Sequence, residues 1–255
     1  MDALLDLNEV DGAAGGKAEG LARLAALGLP VPPALVLPAE SHARWQATGA
    51  LPADALATAL ARLGSPLAVR SSASDEDREG RSAAGQYETV LGVRTIDELR
   101  AAVEHCYRAA ASERARVYRG EDATALALLL QREVPADRAG VAFSADPLTG
   151  TRDHVVLEVV YGSGEQVVGG LVDPDRFWIR RADGAVRARV AEKPDVTAAR
   201  RFARTLRDDE ARAIAELVVV AETGFGLAVD VEFCLEGRSI WLVQCRPITT
   251  LDAAA

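Results

Sequence analysis

Cysteine is scarce in this chain, with three in 255 residues. Cys106, Cys234 and Cys245 form an odd set without CxxC spacing, which excludes a disulfide framework and a cysteine zinc site and reads as reduced cytosolic thiols. Long apolar runs are missing too. Nothing approaches the roughly 20 residues of a membrane span, and the start, Met1-Asp2-Ala3-Leu4-Leu5-Asp6, has no basic leader segment. Positive charge is in deficit: 29 Lys+Arg against 38 Asp+Glu leave a net charge of −9. That balance argues against a nucleic-acid footprint and against an anionic membrane surface. A nucleotide remains possible, because its phosphates need only a few local cations. There is no internal repeat, low-complexity linker or charge block. The expectation is a soluble, cytoplasmic protein of one large domain or two modest ones sharing a cleft.

What is present begins with a substantial apolar fraction, 49%, and its most informative stretch is the last strand pair. In Asp230-Val231-Glu232-Phe233-Cys234 the apolar residues take one face and Asp230 and Glu232 the other. On the returning strand, Leu242-Val243-Gln244-Cys245-Arg246-Pro247, Gln244 and Arg246 share a face. A three-residue loop around Arg238 would set Glu232 opposite Gln244 and Asp230 opposite Arg246. Such a gathering of oxygens suits Mg²⁺, and Arg246 beside it could hold a phosphate. The same alternation also fits a half-exposed hairpin whose polar face is merely solvated.

The remaining chain reads as alternating α and β segments. Gly15-Gly16-Lys17 precedes a helical pattern ending at Gly28. Glycines there would let backbone amides approach a phosphate, yet the pair is not a Walker A sequence, and an ordinary helix start is the other reading. Strands are expected at 34–37, 67–72, 87–93, 126–134, 141–144, 155–160, 166–172, 176–181 and 186–190, and helices at 39–48, 52–63, 95–119 and 197–222, the last broken near Asp208-Asp209. The strand ending in Arg70-Ser71-Ser72 places an arginine where burial is costly unless it faces a cleft or a partner. Residues 73–86 that follow are polar and glycine-containing, consistent with a flap or a disordered tip.

Taken in order, these segments resemble one family, the ATP-binding domain of phosphoenolpyruvate synthase, pyruvate phosphate dikinase and rifampin phosphotransferase. Gly15-Gly16-Lys17 with Gly28 to Pro33 is similar to its "GGK…G(x)PVPP" start. Val69-Arg70-Ser71-Ser72-Ala73, Glu76-Asp77 and residues 82–89 resemble "VRSSA…ED…S(F)AG(Q)…ET". Residues 139–150 are similar to "AGV.FS.DP.TG", and residues 162–174 to "G.GE.VV.G.V.PD". The end, from Asp230 to Gln244-Cys245-Arg246-Pro247-Ile248-Thr249, resembles "D.E(W/F)…Q.RPIT". The likeness runs over about residues 8 to 251. One departure is Ala83, where the family usually has an aromatic residue.

The resemblance implies an α+β, ATP-grasp-like fold with ATP clamped between two lobes, an N-terminal lobe over residues 1–125 and a C-terminal lobe over residues 126–255. By position, Lys17 and Arg70 would bind ATP phosphates, Gln131 and Glu133 would meet adenine and ribose, Glu232 and Gln244 would hold Mg²⁺, and Arg246 would contact the transferred phosphates. Lys17, Arg70 and Arg246 would be the catalytic cations. The implied reaction passes the β-phosphoryl group of ATP to a histidine, leaving AMP and phosphate. His42, His105 and His154 lie in no glycine- and hydroxyl-rich phosphohistidine setting. The acceptor is therefore expected on a separate phosphohistidine-domain protein or further domain, with a downstream small-molecule acceptor. A direct ATP-grasp kinase or ligase yielding ADP, and a non-catalytic nucleotide-binding module, are the competing functions.

Overall fold

The computed structural model describes residues 4–73, 88–117, 126–147, 149–162, 173–193 and 200–248. The expected flap, the strand at 166–172 and most of the glycine turn at 162–165 lie outside those residues. The class is α+β, as expected, and the chain divides into two compact units, residues 1–25 with 32–133 and residues 26–31 with 134–255.

The first unit is built on five antiparallel strands: β1 (Leu5–Asp6), β2 (Ala34–Leu37), β3 (Leu67–Ala73), β4 (Thr89–Val93) and β5 (Leu126–Arg132), ordered β1-β2-β5-β3-β4. Its helices are α1 (Gly16–Ala26), α2 (Ala39–Thr48), α3 (Ala53–Leu63) and α4 (Ile96–Val117). Period two divides the sheet. Leu67, Val69, Leu128 and Leu130 enter a core closed by Leu56, Ala59 and Leu63 of α3 and Leu99, Val103 and Cys106 of α4,. Each large apolar side chain buried there contributes about 2 kcal/mol. Ala68, Arg70, Ser72, Leu129 and Gln131 alternate onto the opposite face, where the start of α1 meets Ser72.

The sequence reading assigned residues 126–132 to the C-terminal lobe. The structure instead makes β5 the middle strand of the first sheet, paired to β2 and β3, and the unit boundary falls after Glu133. A continuous apolar run such as Leu126-Ala127-Leu128-Leu129-Leu130 demands an interior strand. Nothing local says which sheet supplies the neighbours.

The second unit has six antiparallel strands: β6 (Arg138–Phe143), β7 (His154–Tyr161), β8 (Asp175–Arg180), β9 (Val186–Arg189), β10 (Val229–Glu236) and β11 (Ser239–Pro247), ordered β11-β10-β6-β7-β8-β9. Among the described residues one helix, α5 (Asp208–Phe225), packs Ile214, Val218 and Ala221 against β6, β7, β8 and β10. Gly140 is required in this packing, because a side chain there would overlap the Glu158 carbonyl.

Of the run expected to be helical over 197–222 with a break near Asp208-Asp209, the described residues after that break, from Asp208, form the helix, and residues 200–207 before it form turns. The reason is a buried carboxylate. Asp175 takes the Thr205 amide and hydroxyl at 2.8 and 3.0 Å and the Ala191 amide at 2.8 Å, while Lys193 pairs with it at 2.7 Å and donates to the Ala203 carbonyl. Backbone groups that would have built a helical turn are held by this ion pair instead. A buried charge of this kind is tolerable only when its hydrogen bonds are satisfied.

Candidate functional site

In the first unit the candidate residues are drawn together by contacts distant in sequence. Gly15 has φ +82°, and a Cβ there would overlap Ser72, so glycine is needed for both conformation and space,. The close approach lets the Ala18 amide donate to Ser72 Oγ at 3.1 Å, capping the start of α1 from another element,. Lys17, 8% exposed, donates from Nζ to the Ser71 carbonyl at 3.0 Å. Arg70, one residue earlier on the same strand, reaches Gln131 Oε1 with Nη1 at 3.5 Å. Thus Lys17, Arg70 and Gln131 belong to one neighbourhood along β3.

Glu133 is engaged elsewhere in the same unit. Its carboxylate accepts the Gly92 amide at 2.6 Å, beside the irregularity in the β3–β4 ladder, and its own amide donates to the Pro66 carbonyl. Cys106, in the core beneath, has its thiol pushed up to about 12, chiefly by burial and then by the Glu88 charge. It is a packing residue rather than a nucleophile.

In the second unit the candidate residues come from one hairpin. Glu232 lies opposite Gln244, and Asp230 opposite Arg246, as expected from the alternation. The turn is shorter than expected, because Glu236 pairs with Ser239 and leaves only Gly237 and Arg238 between them. A bulge at Val243 then absorbs the extra residue, since Phe233 pairs with Leu242 and Glu232 with Gln244,. Core residues Val231, Phe233, Leu242 and Cys245 remain on the α5 side. Asp230 and Arg246 meet through two contacts, Nε and Nη2 to the same carboxylate oxygen at 3.0 and 2.9 Å. Asp230 is nearly buried and Arg246 half exposed, so the carboxylate fixes the direction in which the guanidinium projects.

The ladder continues the candidate rung across the sheet: Gln244, Glu232, Val141, Glu158 and Arg176 stand in successive register. Glu158 and Arg176 form an ion pair on that rung. Sequence reasoning passed over both, and over the hold of Asp230 on Arg246. Period-two alternation in β7 and β8 marks their face, but the strand order that aligns them with Glu232 is tertiary information.

For a divalent cation, the donors fit. Glu232 offers a carboxylate and Gln244 an amide oxygen from facing positions, an all-oxygen set that suits Mg²⁺. Among the described residues no cluster of three or more His, Cys, Asp or Glu side chains could hold a metal by itself. The histidines lie away from these groups in character. His42 is buried in an aromatic cluster with Tyr107 and Trp45, His105 sits 3.4 Å from Glu88, and His154 begins β7. No helix among the described residues is long and apolar enough to cross a membrane.

Comparison with known proteins agrees with the motifs. The chain is 36% identical to the prodigiosin synthesizing transferase PigC of Serratia marcescens over 92% of its length, and 36% identical to a rifampicin phosphotransferase of a Streptomyces species over 81%. A probable phosphoenolpyruvate synthase of Methanocaldococcus jannaschii is 28% identical over 93% of the chain. The chain spans only 31%, 27% and 26% of those three proteins respectively. A D-alanine-D-alanine ligase from Helicobacter pylori is 12% identical, with a TM-score of 0.48 over 94% of this chain and 56% of that one. An acetyl-coenzyme A synthetase of Ca. Korarchaeum cryptofilum is 13% identical, with a TM-score of 0.48 over 90% of each chain. Residues 50–255 match the family described as pyruvate phosphate dikinase, AMP/ATP-binding domain. The chain belongs to that family.

Proposed function

We propose that this chain is the Mg-ATP-binding part of a dikinase-type phosphotransferase. The observation that carries the reading is the terminal hairpin, in which Glu232 faces Gln244 while Asp230 fixes Arg246 beside them. Family membership and the neighbourhood of Lys17, Arg70 and Gln131 support it from the first unit.

Lys17 and Arg70 would neutralise phosphate oxygens, and Gln131 and Glu133 would meet adenine and ribose. Glu232 and Gln244 would hold Mg²⁺, which supplies charge neutralisation at the phosphates and leaves its other positions to phosphate and water. Arg246, held by Asp230, would present its remaining donors to the group in transit. Phosphoryl transfer asks the protein mainly for alignment and charge stabilisation, which these residue types provide. In the proposed reaction a partner histidine takes the β-phosphoryl group. The α–β anhydride opens to release AMP, and the γ-phosphoryl group leaves to water as inorganic phosphate. The partner is a phosphohistidine domain, on the same or another polypeptide, serving a small-molecule acceptor. The proposed setting is the cytoplasm.

The test uses ATP labelled at the β-phosphorus, incubated with the chain alone and with candidate phosphohistidine proteins, then quenched in alkali. Expected are AMP in solution, alkali-stable label on the partner, and no label on His42, His105 or His154. ADP without a partner would turn the reading to a direct kinase or ligase. Binding without either product would turn it to a nucleotide-binding module.

A further inference from the structure

At the start of α5 the second unit has a recess of about 810 Å³, lined by Arg138, Tyr161, Arg200, Arg204, Arg207 and Arg238 among others. Five arginines around one hollow are unexpected in a chain of net charge −9. Most of that charge is spent inside the protein. Arg138 holds Glu210 in a two-pronged pair at 2.9 and 3.1 Å and also donates to the Thr205 and Gly237 carbonyls. Arg204 is bound to Asp208 at 2.6 Å, and Arg207 to Asp209 at 2.9 Å. The first turn of α5 is already supplied with acids by Asp208, Asp209 and Glu210, so the helix end adds no binding power.

Two cations remain. Arg200 lies over the Tyr161 ring at 5.1 Å and pairs with no carboxylate among the described residues. Arg238, at the tip of the β10–β11 turn, is 85% exposed and stands 4.0 Å from Asp209, the outer limit of an ion pair. Tyr161 is anchored by donating its hydroxyl to the Arg204 carbonyl at 3.1 Å, which keeps its ring as a fixed platform for Arg200. The recess is therefore a concave surface of small-molecule size in which neither Arg200 nor Arg238 is held by a close carboxylate, and its remaining acid, Asp137, is engaged by the Gly237 amide at 2.6 Å,.

We propose that this recess binds a small di- or triphosphate, with Arg200 and Arg238 as its charge-bearing ligands. Guanidinium groups match phosphate oxygens two at a time, and a ligand with two or more phosphates can engage both arginines at once. The site is distinct from the candidate Mg-ATP residues and does not rest on the function proposed above. An acidic polypeptide is the less favoured occupant, because the surplus charge is confined to one hollow instead of running along a groove.

The experiment is calorimetric titration with sodium tripolyphosphate in EDTA at about 0.15 M salt, where exposed charges more than about 8 Å apart are screened. The parent, Arg200→Ala/Arg238→Ala and Lys17→Ala/Arg246→Ala are compared. Loss of two charge-assisted contacts should weaken binding at least about tenfold in the Arg200/Arg238 variant. Its unliganded melting temperature should match the parent, and the Lys17/Arg246 variant should still bind at the recess. Titration with ADP and with pyrophosphate then identifies the source of the phosphates, the tighter of the two marking a nucleotide or an inorganic ligand. Parent-like affinity in the Arg200/Arg238 variant would overturn the assignment. So would binding that disappears at this salt, or displacement of tripolyphosphate by a glutamate-rich peptide.

Discussion

The two units assemble their candidate residues in different ways. In the first, Gly15 and Lys17, Arg70 to Ser72, and Gln131 come from three distant stretches and meet through close backbone approach. In the second, Asp230, Glu232, Gln244 and Arg246 come from one hairpin and are aligned by ladder pairing. Both sets lie on the sheet face turned from their unit's main helical core. A hairpin site is specified by alternation and a turn. A site gathered from separate elements depends on packing, and one extra methyl can remove it.

The largest effects should separate the two sets by kinetic signature. Arg70→Ala is expected to lower turnover at least about a hundredfold, since removal of a preorganised donor costs about 3 kcal/mol of barrier. Glu232→Gln is expected to act mainly on Mg-ATP affinity, because it neutralises the one carboxylate in the proposed cation pair. Single-turnover transfer and calorimetric ATP titration, run on both variants, check the division. If both variants bind and transfer like the parent, the assigned roles are wrong.

Next in size is a stability effect confined to the second unit. Burial acts to raise the Glu210 carboxyl, but it is outweighed by hydrogen bonds from Arg138 and the Arg207 amide and by both guanidinium charges, so its pKa is lowered. A lowered folded pKa means that this group's stabilisation is present above the ordinary carboxylate range and is lost as pH falls through the folded value. Glu210→Gln should cost about 2 kcal/mol at neutral pH by leaving Arg138 without its charge partner. Urea unfolding from pH 7 to pH 3 should show a shallower acid decline in the variant. An identical decline would exclude Glu210 as an acid-sensitive group.

Ser72→Ala should cost about 1 kcal/mol, the usual worth of a helix cap, even though the cap here comes from a remote strand. Thermal unfolding gives the magnitude. A parent-like melting temperature would show that α1 does not depend on Ser72. The smallest effect is expected in the hairpin. Deleting Val243 removes the bulge and leaves Leu242 facing Phe233 and Gln244 facing Glu232, so stability should change by no more than about 0.5 kcal/mol and Mg-ATP affinity should persist. A large loss of affinity would show that the bulge shapes the site beyond setting the turn.

The hairpin explains why part of the site was legible. Alternation put Asp230 with Glu232 and Gln244 with Arg246 on shared faces, because side-chain period in a strand is a local property, while the pairing across the hairpin came from an assumed turn. The sequence reading expected a three-residue turn and no bulge. The structure uses a two-residue turn and one bulge, and the inner pairing is the same in both. Residues 200–207 show the opposite case. Their pattern continues that of α5, yet Asp175, from a distant strand, takes the Thr205 amide and hydroxyl, and the helix starts at Asp208.

By itself the sequence determined the strands and helices of strong period, the polar face of the terminal hairpin, an arginine within the strand β3, and the family to which these motifs point. Each follows from local spacing or from residue type. Only the tertiary structure decided that β5 joins the first sheet, that Ser72 caps α1, that Glu158 and Arg176 share a rung with Glu232, and that Arg200 and Arg238 line one recess. Those outcomes depend on which strands become neighbours and which buried polar groups must be satisfied. Such choices are made between segments far apart in the chain, where period and propensity carry no information.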